Sequence, residues 1–286
     1  SRERLHACIE MTKPRISAMV LVTTVFAYVL ATGGVADPGH LLMTLLGGGM
    51  AGSGASVLNQ YLERDTDARM ERTKTRPLPS GVLSPQFALN LGVVLATAGC
   101  MLLVWQVNLL AAFLTLESTF LYVLVYTPMK RLTWWNTVVG AVPGAMPMLI
   151  GWAAGAESLG LGAWILFAIL YVWQFPHFYA IAWMFRDDYE RGGLKMLSVV
   201  KPDGRNLGLQ TIVFSILLIP VTILPYAVGM SGLIYLIGGL AAALYMSWHG
   251  IRFAVRRDLV TARKELLASI LYLPALLVLI AIDFTI

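Results

Sequence analysis

Asn59, Glu63 and Asp67 recur at four-residue intervals within the string Asn59-Gln60-Tyr61-Leu62-Glu63-Arg64-Asp65-Thr66-Asp67. On a helix this spacing puts an amide oxygen and two carboxylates on one face, within about 80° of arc. Neighbours at that spacing have Cβ atoms about 5–6 Å apart. Hard oxygen donors in a row suit Mg2+, which keeps several waters and binds through one or two carboxylates plus substrate phosphates. Arg69, Arg72, Lys74 and Arg76 follow at once, and Lys130-Arg131 come later in the chain. Acids beside a basic cluster are consistent with a metal-bound polyphosphate as ligand. The metal removes the carboxylate–phosphate repulsion, and the cations take the remaining phosphate charge. The same residues would also serve as a solvated helix end laced with ion pairs, and spacing alone leaves both readings open.

A second acidic string, Trp183-Met184-Phe185-Arg186-Asp187-Asp188-Tyr189, precedes Gly192-Gly193. Laying Arg64-Asp65 on Arg186-Asp187 puts Glu63 over Phe185 and Asp67 over Tyr189, so the repeat is approximate. Two acidic strings at one membrane level suggest two facing halves that hold cations from both sides, as in two-metal clamps on a leaving oxygen. Charged residues that merely stop a span at the interface are the alternative.

These strings need elements to hold them, and hydropathy supplies nine. Long apolar runs cover roughly 16–36, 40–58, 86–106, 108–127, 135–155, 160–184, 207–228, 231–249 and 265–285, each about the 20 residues that cross a bilayer. With 58% hydrophobic and 13% charged residues, an ordinary soluble domain is excluded. All 21 Lys and Arg fall at the N-terminus or in alternate connections, and the intervening turns hold none. By the positive-inside bias the N-terminus is cytoplasmic and the C-terminus outside. That bias accounts for the net charge of +5 without nucleic acid. Cys8 and Cys100 are too far apart in this topology for a disulfide, and no metal-ligand spacing involves them. Residues 1–15 read as a charged juxtamembrane lead rather than a cleavable signal. The expected fold is an all-α polytopic membrane protein, with nine transmembrane helices around a central cavity. It forms one domain over 1–286: two pseudo-repeated four-helix halves, about 16–127 and 135–249, and a ninth helix at 265–285.

The chain resembles the membrane-embedded, UbiA-type aromatic prenyltransferase superfamily. Its first motif, Asn-Asp-x-x-Asp-x-x-x-Asp, is matched by Asn59, Gln60, Glu63 and Asp67, with Gln60 and Glu63 as conservative departures. Its second, Asp-rich motif is matched in part by Asp187 and Asp188, with Phe185 and Tyr189 where relatives often carry Asp. Within the superfamily the chain is similar to the branch that farnesylates protohaem IX. That likeness rests on Thr12-Lys13-Pro14-Arg15, Arg76-Pro77-Leu78-Pro79-Ser80-Gly81, Tyr126-Thr127-Pro128-Met129-Lys130-Arg131 and Trp173-Gln174-Phe175-Pro176-His177-Phe178. The resemblance implies that farnesyl diphosphate, held through Mg2+, ionises at the cytoplasmic face. The cation adds to a vinyl group of haem b, and water completes haem O. It assigns Asn59, Glu63, Asp67, Asp187 and Asp188 to catalysis, with Asn59, Glu63, Asp67 and Asp188 on the metal. Arg72, Lys74, Arg76, Lys130, Arg131 and Arg186 go to the diphosphate, and His177, Trp173 and Tyr126 to the haem acceptor. It also implies membrane lipid as a partner and a haem A synthase downstream, while the short loops and minimal N-terminus favour a bacterial plasma (inner) membrane over a mitochondrial one.

The physics of ionisation agrees, because charge developing on the leaving oxygens is best met by preorganised cations. Tyr61, Tyr122, Tyr126, Trp173 and Phe178 offer aromatic faces to a cation, and each also serves as packing or an interfacial anchor. His177 follows Pro176, which frees a backbone carbonyl, and reads as an iron ligand, a propionate contact or a hydrogen-bonded packing element. His6, His40 and His249 read as interfacial. Glu117 is the one acid in mid-span, a functional candidate by default, and Asp283 reads as interfacial. The Gly47–Gly54 cluster, including Gly48 and Gly52, permits close helix packing, and prolines 143, 147, 220, 225 and 274 kink spans. Two competing readings are prenylation of 4-hydroxybenzoate or another quinone precursor, and a secondary transporter. The transporter predicts polar sites at the bilayer midplane, whereas these acids cluster at one face.

Overall fold

The structure is a computed structural model that describes residues 2–35 and 37–284. A short lead helix, α1 (Arg2–Met11), is followed by α2 (Pro14–Thr32), α3 (Pro38–Asp67), α4 (Pro85–Gln106) and α5 (Leu109–Phe120). A π-helical turn, Leu121–Tyr126, joins α5 to α6 (Thr127–Leu132), and α7 (Asn136–Ala156) comes next. The rest of the chain forms α8 (Leu161–Met184), α9 (Arg186–Arg191), α10 (Leu197–Val200), α11 (Arg205–Ala227), α12 (Leu233–Arg256) and α13 (Leu259–Ile282). Among the described residues nine helical segments are long and apolar enough to span a membrane, counting Leu109–Leu132 as one. They coincide with the nine expected runs, although the far ends of the first and ninth, at 36 and 285, lie outside the described residues.

The helices outrun the apolar runs where charge is dense. The second run ends near residue 58, yet α3 continues to Asp67. Likewise α12 reaches Arg256 and α13 starts at Leu259, so the basic connection 250–264 is almost wholly helical. Hydropathy reports the thickness of hydrocarbon crossed, while a helix continues beyond it wherever its side chains can be solvated or paired. The starts follow local chemistry. Asp37, Ser84, Asn108 and Asp258 cap α3, α4, α5 and α13 by accepting backbone amides. Pro14, Pro38 and Pro85 sit in first turns, where no amide is lost.

Two compact units emerge. Unit 1 contains residues 1–159 together with 187–195, and unit 2 contains 160–186 and 196–286. In unit 1, α3 and α4 touch backbone to backbone. A Cβ on Gly54 would lie 2.5 Å from the Ala96 nitrogen, and one on Gly47 would lie 2.7 Å from the Leu103 side chain. Gly48 and Gly52 have nothing within 4 Å, so within the glycine cluster the close contact uses the Gly47–Gly54 edge rather than the 48/52 pair. The lead helix packs Ala7 and Met11 against Val57, Leu78, Leu83 and Ala88. Gln60 reinforces that contact by donating to the Met11 carbonyl at 2.9 Å. In unit 2, α13 is tied to α8 and α11: Trp173 Nε1 donates to the Ser269 carbonyl at 2.9 Å, and Tyr272 meets Thr222 at 2.6 Å.

Candidate active site

The last turns of α3 are the framework of the site in unit 1. Because α3 stays helical through the motif, Asn59, Glu63 and Asp67 share one face, and all three are buried. Each meets a different cation. Lys13 Nζ donates to Asn59 Oδ1 at 2.9 Å, Lys130 Nζ pairs with Glu63 Oε1 at 2.8 Å, and Arg76 Nη1 pairs with Asp67 Oδ2 at 2.7 Å. Asp67 is only 1% exposed, and a charge so buried persists only when paired. Its Oδ1 has no protein partner. This orphaned carboxylate oxygen, on the face that carries Glu63 and Asn59, fits a hard divalent cation. Among the described residues no three His, Cys, Asp or Glu side chains form a metal cage. Two carboxylates and an amide oxygen on one helix face are a donor set that fits Mg2+ together with phosphate and water.

The loop after α3 is folded so that its arginine points back. Thr73 Oγ1 donates to the Asp67 carbonyl at 2.9 Å, and three residues later Arg76 reaches the Asp67 side chain. The second acidic string fastens the same loop. Asp188 accepts from the Glu71 amide at 2.8 Å, the Arg72 amide at 3.2 Å and Arg191 Nη2 at 2.6 Å. Burial alone would raise its pKa, but the Arg191 guanidinium and the two amides outweigh burial and hold the carboxyl below its ordinary value. Lys195 N–H then donates to the Lys130 carbonyl at 2.6 Å, so 187–195 straps the loop of α3 to the end of α6. Asp188, expected among the metal ligands, here has both oxygens engaged by the loop amides and Arg191, and Asp187 is exposed beside it. The two acidic strings thus converge on one loop by backbone capture rather than by facing each other.

The other expected cations are spread out. Lys74 pairs with Glu71 at 2.5 Å, and Arg131 donates to the Leu62 carbonyl at 3.1 Å. The Arg72 side chain is exposed above its captured amide. Arg186 lies in unit 2, its guanidinium 5.0 Å from the Trp183 ring centre. Lys13 is the cation that spacing did not single out. It occupies the junction of α1 and α2 at φ 50°, a left-handed conformation rare outside glycine. The right-handed alternative is disfavoured before Pro14. Burial, and then the charges of Arg76 and Lys130, lower its pKa to about 7. The available signal was its place immediately before Pro14 at the start of a span, within the Thr-Lys-Pro-Arg string.

Aromatic rings stand beside these cations. Pro128 has no N–H to donate, and the π turn lets Thr127 N–H reach the Tyr122 carbonyl instead. Thr127 Oγ1 also donates to that carbonyl and accepts from Asn59 Nδ2 at 3.0 Å. The turn brings Tyr122 and Tyr126 into a stack, centroids 5.7 Å apart, with Lys130 4.6 Å from the Tyr126 centroid. A Cβ on Gly140 would overlap the Tyr126 ring, so α7 needs glycine there. Tyr126, assigned above to the acceptor, stands beside the acids.

Unit 2 holds the other acceptor candidates. His177 Nδ1 lies 2.8 Å from Ser269 Oγ, and its ring stacks on Trp173 at 4.9 Å. The Ser269 hydroxyl proton is spent on the Leu266 carbonyl at 2.7 Å. His177 Nδ1 must then be the donor, which leaves the Nε2 lone pair available to a ligand. Glu117 is half-buried in α5.

A family model described as the UbiA prenyltransferase family matches residues 20–273. A protoheme IX farnesyltransferase from Solibacter usitatus is 46% identical, with 96% of this chain and 97% of that protein covered. A protein of the same name from Salinibacter ruber is 42% identical over the same shares of each chain. Among solved structures, a digeranylgeranylglyceryl phosphate synthase superposes with a TM-score of 0.83 at 16% identity, covering 98% of both chains. A UbiA homologue from Archaeoglobus fulgidus, bound to GPP and Mg2+, has a TM-score of 0.58 at 14% identity and covers 96% of this chain and 99% of that one. The structural matches share the fold, the family model and the sequence relatives cover nearly the whole chain, and this chain belongs to the UbiA prenyltransferase family.

Proposed function

We propose that this prenyltransferase moves the farnesyl group of farnesyl diphosphate onto a vinyl group of protohaem IX, with addition of water, giving haem O and diphosphate. The carrying observation is the face of α3, on which Asn59, Glu63 and Asp67 each meet a separate cation. Two carboxylates against Arg76, Lys130 and a half-protonated Lys13 leave a fraction of a positive charge in excess, which complements a magnesium–diphosphate ester of net negative charge. When bound, Mg2+ would lie on Asn59, Glu63 and Asp67 and stabilise charge on the leaving oxygens. Arg76 and Lys130 would then turn from the acids, and Lys13 from the Asn59 amide, to the phosphate oxygens. Lys13 takes up a full proton there as its neighbours' repulsion is answered by phosphate. Tyr122 and Tyr126 face the allylic cation with their π clouds and offer it no strong nucleophile. The A. fulgidus homologue, which holds GPP and Mg2+, supports the same donor chemistry.

The protohaem acceptor rests on the relatives' activity and on His177. With Nδ1–H committed to Ser269, its Nε2 is oriented to take the iron of the substrate haem, the arrangement by which iron-ligating histidines are commonly held. The basic connections support a cytoplasmic face for this chemistry, and the bacterial relatives support a bacterial plasma membrane. Incubation of the purified protein with haem b, labelled farnesyl diphosphate and Mg2+, followed by product mass, tests the reading. Labelled haem one farnesyl and one water heavier is expected. Label in 4-hydroxybenzoate instead, with haem untouched, would overturn the acceptor assignment.

A further inference from the structure

Unit 2 contains a buried acid that nothing above uses. Glu265 lies in the second turn of α13 and is fully buried, and neither carboxylate oxygen has a hydrogen-bond partner. The other acids of this unit have local tasks. Asp203 is exposed beside Arg205, Asp258 caps α13, and Asp283 accepts the Tyr235 amide at 2.8 Å. An unpartnered carboxyl inside a span is costly and is retained for a reason. Across from it, Ser215 Oγ of α11 is also buried without a partner. Between them stands Gly250 of α12, where a Cβ would overlap Ser215 Oγ and stand 3.5 Å from Glu265 Oε2. Ser247 Oγ donates to the Ser215 carbonyl at 2.6 Å and fixes α11 in that register. Two of these three unpartnered oxygens, Ser215 Oγ and Glu265 Oε2, therefore lie within 3.5 Å of the Cβ position that Gly250 leaves empty, a setting that suits an ordered water.

The same face of α13 leads to the proposed acceptor residue. Ser269, one turn beyond Glu265, is the side chain that holds His177. We propose that Glu265 and Ser215 form a water site in unit 2, and that this pair relays the proton released by the water that adds to the prenylated vinyl group. This rests on the haem reading above. The C1–O bond of the farnesyl ester breaks, and its electron pair leaves on diphosphate. The vinyl π pair forms the new C–C bond, leaving a cation on the vinyl carbon attached to the macrocycle. A lone pair of water closes on that carbon; the released proton passes to the carbonyl oxygen of the neutral Glu265 carboxyl while that carboxyl gives up its own hydroxyl proton by way of Ser215, and so to solvent.

The test separates hydration from transfer. Glu265→Gln and Ser215→Ala proteins are incubated with haem b, farnesyl diphosphate and Mg2+, and both released diphosphate and product mass are followed. In E265Q, diphosphate release and farnesylated haem persist. The hydrated product falls at least tenfold against the alkene, one water lighter, that forms when the cation loses a carbon-bound proton instead. Ser215→Ala, which deletes an unpartnered hydroxyl and spares the fold, shifts the ratio in the same direction, and Glu265→Asp restores part of it. A wild-type product ratio in E265Q, or equal loss of diphosphate release and hydration, overturns the proposal. Absence of any farnesylated haem from the unaltered protein would instead overturn the underlying function.

Discussion

At the scale of single residues, the two buried acids of the site are each paired with a named cation, and Lys13 rests on the Asn59 amide. Removing the Asp67 charge by Asp67→Asn leaves the geometry of α3 intact but deletes the acid best placed for the metal. Transfer should fall by about 10²–10³-fold in kcat, the cost typical of losing one preorganised electrostatic group, with circular dichroism unchanged; near-full turnover would refute the metal role. Lys130→Ala acts on stability as well, because Glu63 stays buried without its ion pair. Breaking a buried pair from one side costs roughly 3–5 kcal/mol. Thermal unfolding in detergent should show that loss in K130A and much less of it in K130A/E63Q, where the orphaned charge is gone.

Elements set where those residues stand, and two contacts make that testable. If the α3–α4 approach is at Gly54, then Gly54→Ala must push backbone apart, at a cost of about 1–3 kcal/mol. Gly52→Ala faces open space and should stay within about 0.5 kcal/mol of the parent. Equal melting shifts for the two would refute the register. The strap 187–195 predicts that Asp188→Asn exposes the Glu71 and Arg72 amides to hydrogen exchange and weakens diphosphate binding, while the half-saturating Mg2+ concentration is unchanged. A tenfold rise in that concentration would make Asp188 a metal ligand after all. The folded carboxyl lies below its ordinary value, so it stabilises the strap at all pH above the unfolded value of about 4. That contribution disappears as pH falls through the lower, folded pKa, so the strap should survive mild acid.

For the whole molecule, metal removal should separate catalysis from folding. No described residue cluster forms a cage whose loss would unfold a unit, so chelation of Mg2+ should abolish transfer and leave helicity and melting temperature unaltered. A parallel fall in both would assign the metal a structural part. Orientation is open to the same kind of check. Single cysteines placed at Ser80 and Ser158 should react with impermeant reagents from opposite sides of the membrane, Ser80 from the cytoplasmic side.

What the chain order alone determined is everything that follows from period and polarity. Nine apolar runs, the basic connections and the Asn59–Glu63–Asp67 face were all legible, because helix geometry converts spacing into direction without help from the rest of the fold. Partner choice was not legible, because it depends on residues far apart in sequence. That Lys13 meets Asn59, that Asp188 holds the amides of Glu71 and Arg72, and that Tyr126 stands beside Lys130 are decided by how loops return upon helices. Glu265 was hidden for the same reason. It sits among Arg263, Lys264 and apolar neighbours as an unremarkable letter, and only the packing of α11, α12 and α13 leaves it buried without a partner.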